Sequence, residues 1–297
     1  MMVARQNQIR GRELLHEPMA RHCSWRAGGH ADVYFEPADK QDLALYLSQL
    51  DEKTEITWIG LGSNLLVRDG GVRGVVIGAL NRLNQLKLRE DGLVYAECGV
   101  TCAKLARFCQ QQGLAGADFL AGIPGTVGGA LAMNAGAFGS ETWQFVSSVE
   151  MMNRHGELIE RDAGEFEVAY RRVVKADDEW FSAGLFCFDE RRQDDVSNIK
   201  PLLEKRNASQ PIGLPSCGSV FKNPPGDHAA RLIEACGLKG YCLGGACVSD
   251  KHANFIINSG QASAAEIEDL IALVQDRVHQ QFAIELQTEV RIIGERP

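Results

Sequence analysis

Between Gly122 and Gly139 the chain runs Gly122-Ile123-Pro124-Gly125-Thr126-Val127-Gly128-Gly129-Ala130-Leu131-Ala132-Met133-Asn134-Ala135-Gly136 and continues through Phe138 to Gly139. Glycine loses more backbone freedom on ordering than any other residue, so this density argues against a packed helix and predicts a loop. The surrounding elements must then be arranged around a long irregular segment. Such a backbone offers two uses. Successive N–H groups can converge into an anion-binding nest suited to a pyrophosphate, or the bare backbone can pack closely against a helix.

A second glycine-rich segment, Gly60-Leu61-Gly62-Ser63-Asn64-Leu65-Leu66-Val67, follows an apolar run, Ile56 to Ile59, that reads as a strand. It begins like a dinucleotide fingerprint but carries Leu65 at the third glycine and continues as extended chain, so the strand–turn–helix context of a Rossmann site is missing. Neither segment contains the G-K-[ST] of a P-loop, which argues against ATP phosphoryl transfer. Two glycine loops in one domain favour a dinucleotide lying between them.

The rest of the chain mixes strands and helices irregularly. Asp32 to Phe35, Val72 to Ile77, Leu93 to Glu97 and Trp180 to Phe188 read as strands, and Val149–Met152 with Glu157–Glu160 as a hairpin across Arg154-His155-Gly156. Helices are expected from Asp39 to Leu50, from Cys102 to Gln112 with Thr101 capping it and Gly113 ending it, and from Asp227 to Ala235. Ser263 and Glu266 form a capping box for a last helix, whose residues Ile267, Leu270, Ile271, Val274, Val278 and Phe282 share one face. Glu285 to Ile293 reads as a closing strand. The texture turns polar near Asp189, with a helix ending around Asn207, so a domain boundary is expected at 192/193, giving regions 1–192 and 193–297. The fold class is α+β rather than one doubly wound sheet.

Net charge is −8, and the basic pairs Arg171-Arg172, Arg191-Arg192 and Lys205-Arg206 are too short for a nucleic-acid stripe but suit a phosphorylated small molecule. No apolar run approaches the roughly 18 residues of a membrane span. The 9 cysteines are scattered without C-x-x-C or zinc spacing, so no metal is assigned and most are expected to be buried thiols. With a polar N-terminus, this reads as a reduced cytoplasmic protein.

The segment Gly213-Leu214-Pro215-Ser216-Cys217-Gly218-Ser219-Val220-Phe221-Lys222-Asn223-Pro224 places a hydroxyl, a cation and an amide within a few residues, bounded by glycine and proline. It reads as a short strand or loop that holds Ser219 in one orientation, with Val220 and Phe221 as core anchors. Cys217, two residues from Ser219, would share its face on a strand and is a rival acid, although packing is its better reading. His228 and His252 have no evident link to Ser219, and no G-x-S-x-G signature surrounds it.

In order and over nearly the full length, these motifs resemble the UDP-N-acetylenolpyruvoylglucosamine reductase family. The matching segments are Ser24-Trp25-Arg26-Ala27-Gly28-Gly29, the two glycine loops, Tyr170-Arg171, Gly218 to Pro224, His252-Ala253-Asn254-Phe255-Ile256-Ile257-Asn258, and Thr288-Glu289-Val290. The resemblance implies an FAD-binding region of two α/β subdomains, shared with vanillyl-alcohol-oxidase (PCMH-like) flavoproteins, plus a C-terminal α+β substrate domain. It implies FAD as cofactor, NADPH as electron donor, and UDP-N-acetylglucosamine enolpyruvate as a small-molecule substrate reduced to UDP-N-acetylmuramate for peptidoglycan. Flavin residues would be Trp25, Arg26, Gly60, Gly62, Ser63, Asn64, Leu65, Gly122, Gly125, Thr126, Val127, Gly129, Asn134 and Ala135. Substrate residues would be Tyr170, Lys205, Arg206, Lys222, Asn223 and His252. The chain has no Tyr between Tyr170 and Tyr241, so it resembles the compact subgroup lacking an extra Tyr loop, and a basic residue that some relatives carry before the serine motif is Ser209 here.

Reduction of an enolpyruvyl ether leaves negative charge next to the ether oxygen, to be spread into the carboxylate. Catalysis then needs a cation and donors at the carboxylate and a proton source at the carbon. Family matching gives Arg171 the carboxylate, Ser219 the proton and Glu289 a place beside the enolate, where it helps if protonated or if it polarises a donor. From the residues alone, Arg171 reads equally as half of a surface ion pair, Glu289 as an exposed strand residue, Trp25 as packing and His252 as structural. Two other functions stay open: a sugar or alcohol oxidase on the same flavin fold, and a non-catalytic nucleotide-binding protein.

Overall fold

The computed structural model describes residues 8–191 and 199–297. The boundary expected at 192/193, with Asp194 and Asp195, lies outside the described residues, as do the first seven residues of the polar N-terminus. The chain forms two compact units that are each discontinuous in sequence: Met1–Leu15, Val33–Gly60 and Gly74–Ile199 make the first, and His16–Asp32, Leu61–Arg73 and Lys200–Pro297 the second.

The first unit is built on two sheets. One orders its four strands Arg12–Pro18, His30–Glu36, Val72–Gly78 and Ile56–Ile59, the last two parallel. The other is antiparallel, ordered Leu158–Asp162, Val146–Asn153, Glu179–Phe186, Val94–Glu97 and Leu86–Leu88. The helix Lys40–Ser48 starts where expected, because the Asp39 carboxylate accepts the Asp42 amide at 2.9 Å. Its Leu43, Tyr46 and Leu47 join Phe35, Val75 and Ile77 in one core, with the Phe35 and Tyr46 rings stacked 3.7 Å apart. Its first residue, Lys40, donates to Tyr95 and to Glu150 at 2.6 Å each, tying the helix to the antiparallel sheet.

The expected loop at 122–139 is not irregular throughout: Val127–Met133 is helical. Thr126 caps it, and Asn134, at φ +43°, ends it in the left-handed region. Propensity is overridden by packing, since a Cβ at Gly128 would stand 2.7 Å from the Cys98 Cβ. The glycine lets a short helix lie against neighbouring chain, which is the close-packing alternative read from the sequence.

The second unit holds a three-stranded antiparallel meander, Cys242–Leu243, Ala246–Val248 and Ile256–Asn258, and a parallel pair, Leu65–Val67 with Arg291–Ile293. The closing strand is shorter than the Glu285–Ile293 expected, because only three residues at its end meet the partner ladder. The expectation of thiols fails at Cys242 and Cys247. They lie directly opposite across the hairpin turn at Gly244-Gly245 and form a disulfide. A search for C-x-x-C misses a pair that a four-residue spacing and strand register bring together.

The helix Ala264–Phe282 carries the expected stripe: Ile267, Leu270, Ile271, Val274 and Val278 are buried with Leu66, Val220, Phe221 and Ile256. Burying side chains of this size contributes about 1.5–3 kcal/mol each. Its N-terminus is doubly capped. Ser263 and Glu266 exchange hydrogen bonds at 3.1 and 3.0 Å, and Asp69 accepts the Ala264 and Ala265 amides at 3.0 and 2.9 Å. Beside Asp69, Arg68 grips Glu268 with two bonds of 2.9 Å. The Arg68 fork, against the cost of partial burial and with help from Arg296, holds the Glu268 carboxyl down at about 2. A carboxyl held below its ordinary 4.5 stabilises the fold above that pH, and the contribution drains away as pH falls towards 2. Glu268→Gln is therefore expected to lower Tm by roughly 2–4 °C at pH 7. The gap between variant and parent should close in melts below pH 4.5.

Candidate active site

Ser219 sits in a segment whose backbone is tied down on its C-terminal side. Gly218 supplies φ +70° just before it, and Val220 and Phe221, 0% and 2% exposed, follow it into the core. Antiparallel to them runs Gln287–Glu289: Lys222 N–H donates to the Gln287 carbonyl at 2.9 Å, Glu289 N–H donates to the Val220 carbonyl at 2.8 Å, and Phe221 bridges Thr288. The second unit thus brings Ser219 and Glu289 onto neighbouring stretches of chain. The Ser219 hydroxyl makes no hydrogen bond with the described residues. Cys217 is withdrawn from contention: it is 2% exposed, its thiol lies 3.3 Å from the Leu65 carbonyl, and burial pushes it up to about 12.

The first glycine loop reaches the same place. Asn64 donates its side-chain N–H to the Glu289 carbonyl at 3.0 Å and accepts the Arg291 amide at its own carbonyl, also at 3.0 Å. Gly62 stands at φ +66°, where a Cβ would be 2.0 Å from the His22 carbonyl oxygen. Among the described residues the amides of Leu61, Gly62, Ser63 and Asn64 donate to no acceptor. Four consecutive undonated N–H groups, held by a glycine turn, are what an anion such as a diphosphate would satisfy.

The second loop behaves differently. The Ile123, Gly125, Val127, Gly128 and Ala130 amides all donate to carbonyls within the chain, and Gly129 N–H reaches Thr126 Oγ1 at 3.5 Å. An amide nest there is corrected to a packed wall. In the first unit Gly60 lies against Thr126, where a Cβ would come 2.2 Å from Oγ1. Asn134 is also a framework residue. Its side chain is 3% exposed, donates to Glu141 and the Ala169 carbonyl at 2.8 and 3.2 Å, and accepts the Trp143 amide at 3.1 Å. The Ala135 carbonyl accepts both the amide and the hydroxyl of Thr142.

Arg171 belongs to the first unit and is not the surface ion pair that its neighbour makes. Arg172 meets Glu167 at 3.6 Å with both side chains exposed. Arg171, at φ +55°, donates to the Asn134 and Gly136 carbonyls at 3.1 and 2.9 Å and pairs with Glu141 at 3.4 Å. Its guanidinium also lies over the half-exposed Tyr170 ring, 4.9 Å from the centroid. The loop carbonyls and Glu141 fix this cation, and sequence reading missed Glu141 because it lies in no motif.

The remaining candidates divide. Trp25 is fully buried and donates its indole N–H to the Ile256 carbonyl at 2.8 Å, which makes its side chain a core element rather than a cofactor contact. Leu65 is a buried strand residue. Asn223 accepts the Ala229 amide at 3.1 Å at a helix start, and His252 accepts the Asn254 amide at 3.3 Å through Nδ1. Burial, chiefly, holds the His252 imidazole below its ordinary range. Arg26 is exposed at φ +56°, and neither it nor Lys205 or Lys222 has a side-chain partner among the described residues. Arg206 donates to Gln210 at 2.9 Å, and burial lowers its pKa.

Comparison with known proteins accounts for this arrangement. A family model described as an FAD binding domain matches residues 31–162, and one described as the C-terminal domain of UDP-N-acetylenolpyruvoylglucosamine reductase matches residues 210–293. Proteins named UDP-N-acetylenolpyruvoylglucosamine reductase are similar throughout. The one from Methylococcus capsulatus is 56% identical over 96% of this chain and 94% of its own, and the one from Alkalilimnicola ehrlichii 54% identical over 99% of each. The crystal structure of the Thermus caldophilus enzyme of that name superposes with a TM-score of 0.80 at 28% identity, covering 95% of this chain and 98% of its own. FAD fits the residues present, because the undonated amides of 61–64 offer its diphosphate the donors it needs. With both family models and near-complete relatives in agreement, the chain belongs to the UDP-N-acetylenolpyruvoylglucosamine reductase family.

Proposed function

We propose that this chain reduces the enolpyruvyl ether of UDP-N-acetylglucosamine to UDP-N-acetylmuramate with NADPH as electron donor, a cytoplasmic step of peptidoglycan precursor synthesis, and that Ser219 is its proton donor. The observation that carries the residue assignment is the unbonded Ser219 hydroxyl on a fixed backbone beside Glu289, in a chain of this family. FAD, when bound, supplies the hydride that reaches the terminal enolpyruvyl carbon. The Leu61–Asn64 amides of the second unit would hold its diphosphate, and in the first unit Gly60, Gly122, Gly125, Thr126, Val127 and Gly129 would offer it backbone with little side-chain bulk. In this reading residues 1–192 carry the flavin and 193–297 the substrate.

The electron pair displaced from the double bond moves onto the adjacent carbon and into the carboxylate. Arg171 stabilises that charge as a cation already fixed by loop carbonyls, so little reorganisation is needed when the charge develops. Glu289 acts beside the enolate in its protonated form or by polarising a donor. The Ser219 hydroxyl gives its proton to the carbon, and the alkoxide is reprotonated from water. A neutral hydroxyl suffices because the carbanion-like acceptor is a strong base and the donor is held in place. Tyr170, with its half-exposed ring, lines the substrate pocket.

For the substrate diphosphate, Arg206 is the best of the three basic candidates. Its charge is partly desolvated and, among the described residues, meets only an amide, so an arriving anion recovers energy that water supplies freely at exposed Lys205.

Two measurements test these roles. Ser219→Ala is expected to keep its flavin and to be bleached by NADPH at the parent rate, while product formation falls by about 100-fold or more. Parent-like turnover would remove Ser219 from the mechanism. Arg206→Gln is expected to raise KM for the UDP substrate by roughly 10- to 100-fold, the loss of one charge-assisted contact, with kcat within a few-fold. An unchanged KM would move the diphosphate to Lys205 or Lys222.

A further inference from the structure

Among the buried polar side chains that the proposed chemistry leaves unused, Asn254 makes the most specific set of contacts. It is 4% exposed. Its Oδ1 accepts the Phe221 amide at 2.9 Å, its Nδ2 donates to the Phe221 carbonyl at 2.8 Å, and its own carbonyl accepts the Val220 amide at 2.9 Å. The Val220 carbonyl is taken from the other side by the Glu289 amide at 2.8 Å. All four backbone polar groups of the two residues that follow Ser219 are therefore paired, three of them by Asn254.

The side chain acts as a strand partner in miniature. A carboxamide presents one donor and one acceptor side by side, which matches the N–H and C=O of a single extended residue. At neutral pH no other side chain of similar length presents this pair without a charge. Asn254 is itself fixed by a tight turn: its amide donates to His252 Nδ1 at 3.3 Å, the Phe255 amide donates to the His252 carbonyl at 3.0 Å, and the Ser249 amide donates to the Phe255 carbonyl at 2.8 Å. On its N-terminal side Ser219 follows Gly218 at φ +70°, a residue with open space around it, so the C-terminal side must supply the rigidity.

We propose that Asn254 is a positioning residue for the reduction: by clamping the Val220–Phe221 backbone it holds the Ser219 hydroxyl at the carbon to be protonated. This rests on Ser219 being the proton donor. The clamp makes no contact with substrate and moves no proton. It converts a glycine-preceded loop into a fixed mount, and a misplacement of about 1 Å at such a mount can cost on the order of 100-fold in rate.

The test is a double-mutant cycle read in single turnovers. Flavin is first reduced with NADPH, and its reoxidation by the enolpyruvyl substrate is followed without oxygen. Asn254→Ala is expected to retain flavin, NADPH-driven bleaching and substrate affinity within about threefold, and to slow reoxidation at least 10-fold. In a Ser219→Ala background the same change is expected to cost nothing further, since there is no hydroxyl left to place. An equal loss in both backgrounds would show a general structural role and overturn the proposal, as would parent-like reoxidation in Asn254→Ala. Asn254→Asp is the companion if the alanine variant folds poorly. It keeps the acceptor for the Phe221 amide but turns the donor to the Phe221 carbonyl into an acceptor, so its rate relative to the parent at the same pH should recover as the carboxyl is protonated. A pH-independent deficit would count against the clamp. Normal turnover by Ser219→Ala alone would instead defeat the serine assignment, an outcome the cycle separates from failure of the clamp.

Discussion

A buried segment that is neither helix nor ladder strand must still find partners for every backbone polar group, and in the second unit this constraint organises the site. Val220 and Phe221 are drawn into the core by their side chains, which takes their amides and carbonyls out of water. An unpaired buried amide or carbonyl costs about 1–3 kcal/mol, so the segment cannot lie there unless other chain comes to it. Asn254 comes from one side and Gln287–Glu289 from the other. The partners that solve the burial problem are also those that set Ser219 beside Glu289, so in the proposed reading packing and chemistry are met by the same bonds.

The two glycine loops meet different demands with the same residue. In Gly60-Leu61-Gly62-Ser63-Asn64 glycine opens a left-handed turn against the His22 carbonyl and leaves successive amides undonated. In 122–136 glycine lets a seven-residue helix press on Cys98 while most amides are consumed. Composition alone could not separate them, because the distinction lies in where each N–H points, and tertiary neighbours decide that. The polar residues that close the second loop are likewise spent on framework: Asn134 on Glu141 and Trp143, and Arg171 on the carbonyls of Asn134 and Gly136.

Elements governed by local rules were legible in the sequence. The capping box at Ser263 and Glu266, the Asp39 and Thr101 caps, the hairpin at 153–158 and the apolar stripe of the last helix follow from spacing and short-range geometry. What escaped depends on contacts between distant segments. The helix at Val127–Met133 exists against its propensity because chain packs onto it. The Cys242–Cys247 pair needs strand register, and the division into units groups 16–32 and 61–73 with the C-terminal segment. Ser219 and Glu289 were singled out through motifs, and Asn254 lay inside a recognised signature without an evident task. Its role is visible only once its carboxamide, separated from Phe221 by 33 positions, is seen to pair with that backbone. The Trp25 indole serves the core, the packing reading that the residues alone gave it.

Cysteine and serine two residues apart differ in what the fold does to them. A thiol is intrinsically the better proton donor, but Cys217 is turned inward, and burial pushes it up to about 12. Whatever acidity it began with is lost to desolvation, and its sulfur faces the Leu65 carbonyl rather than open space. A serine hydroxyl is a weak acid, so in the proposed role the protein gains little from its acidity. It can only fix where the hydroxyl stands, relying on a basic carbon acceptor to draw the proton. A site committed to this solution concentrates its structure in the mount rather than in charged neighbours. That is the pattern seen around Ser219: neutral backbone bonds, one buried carboxamide, and a single carboxylate on the adjoining strand.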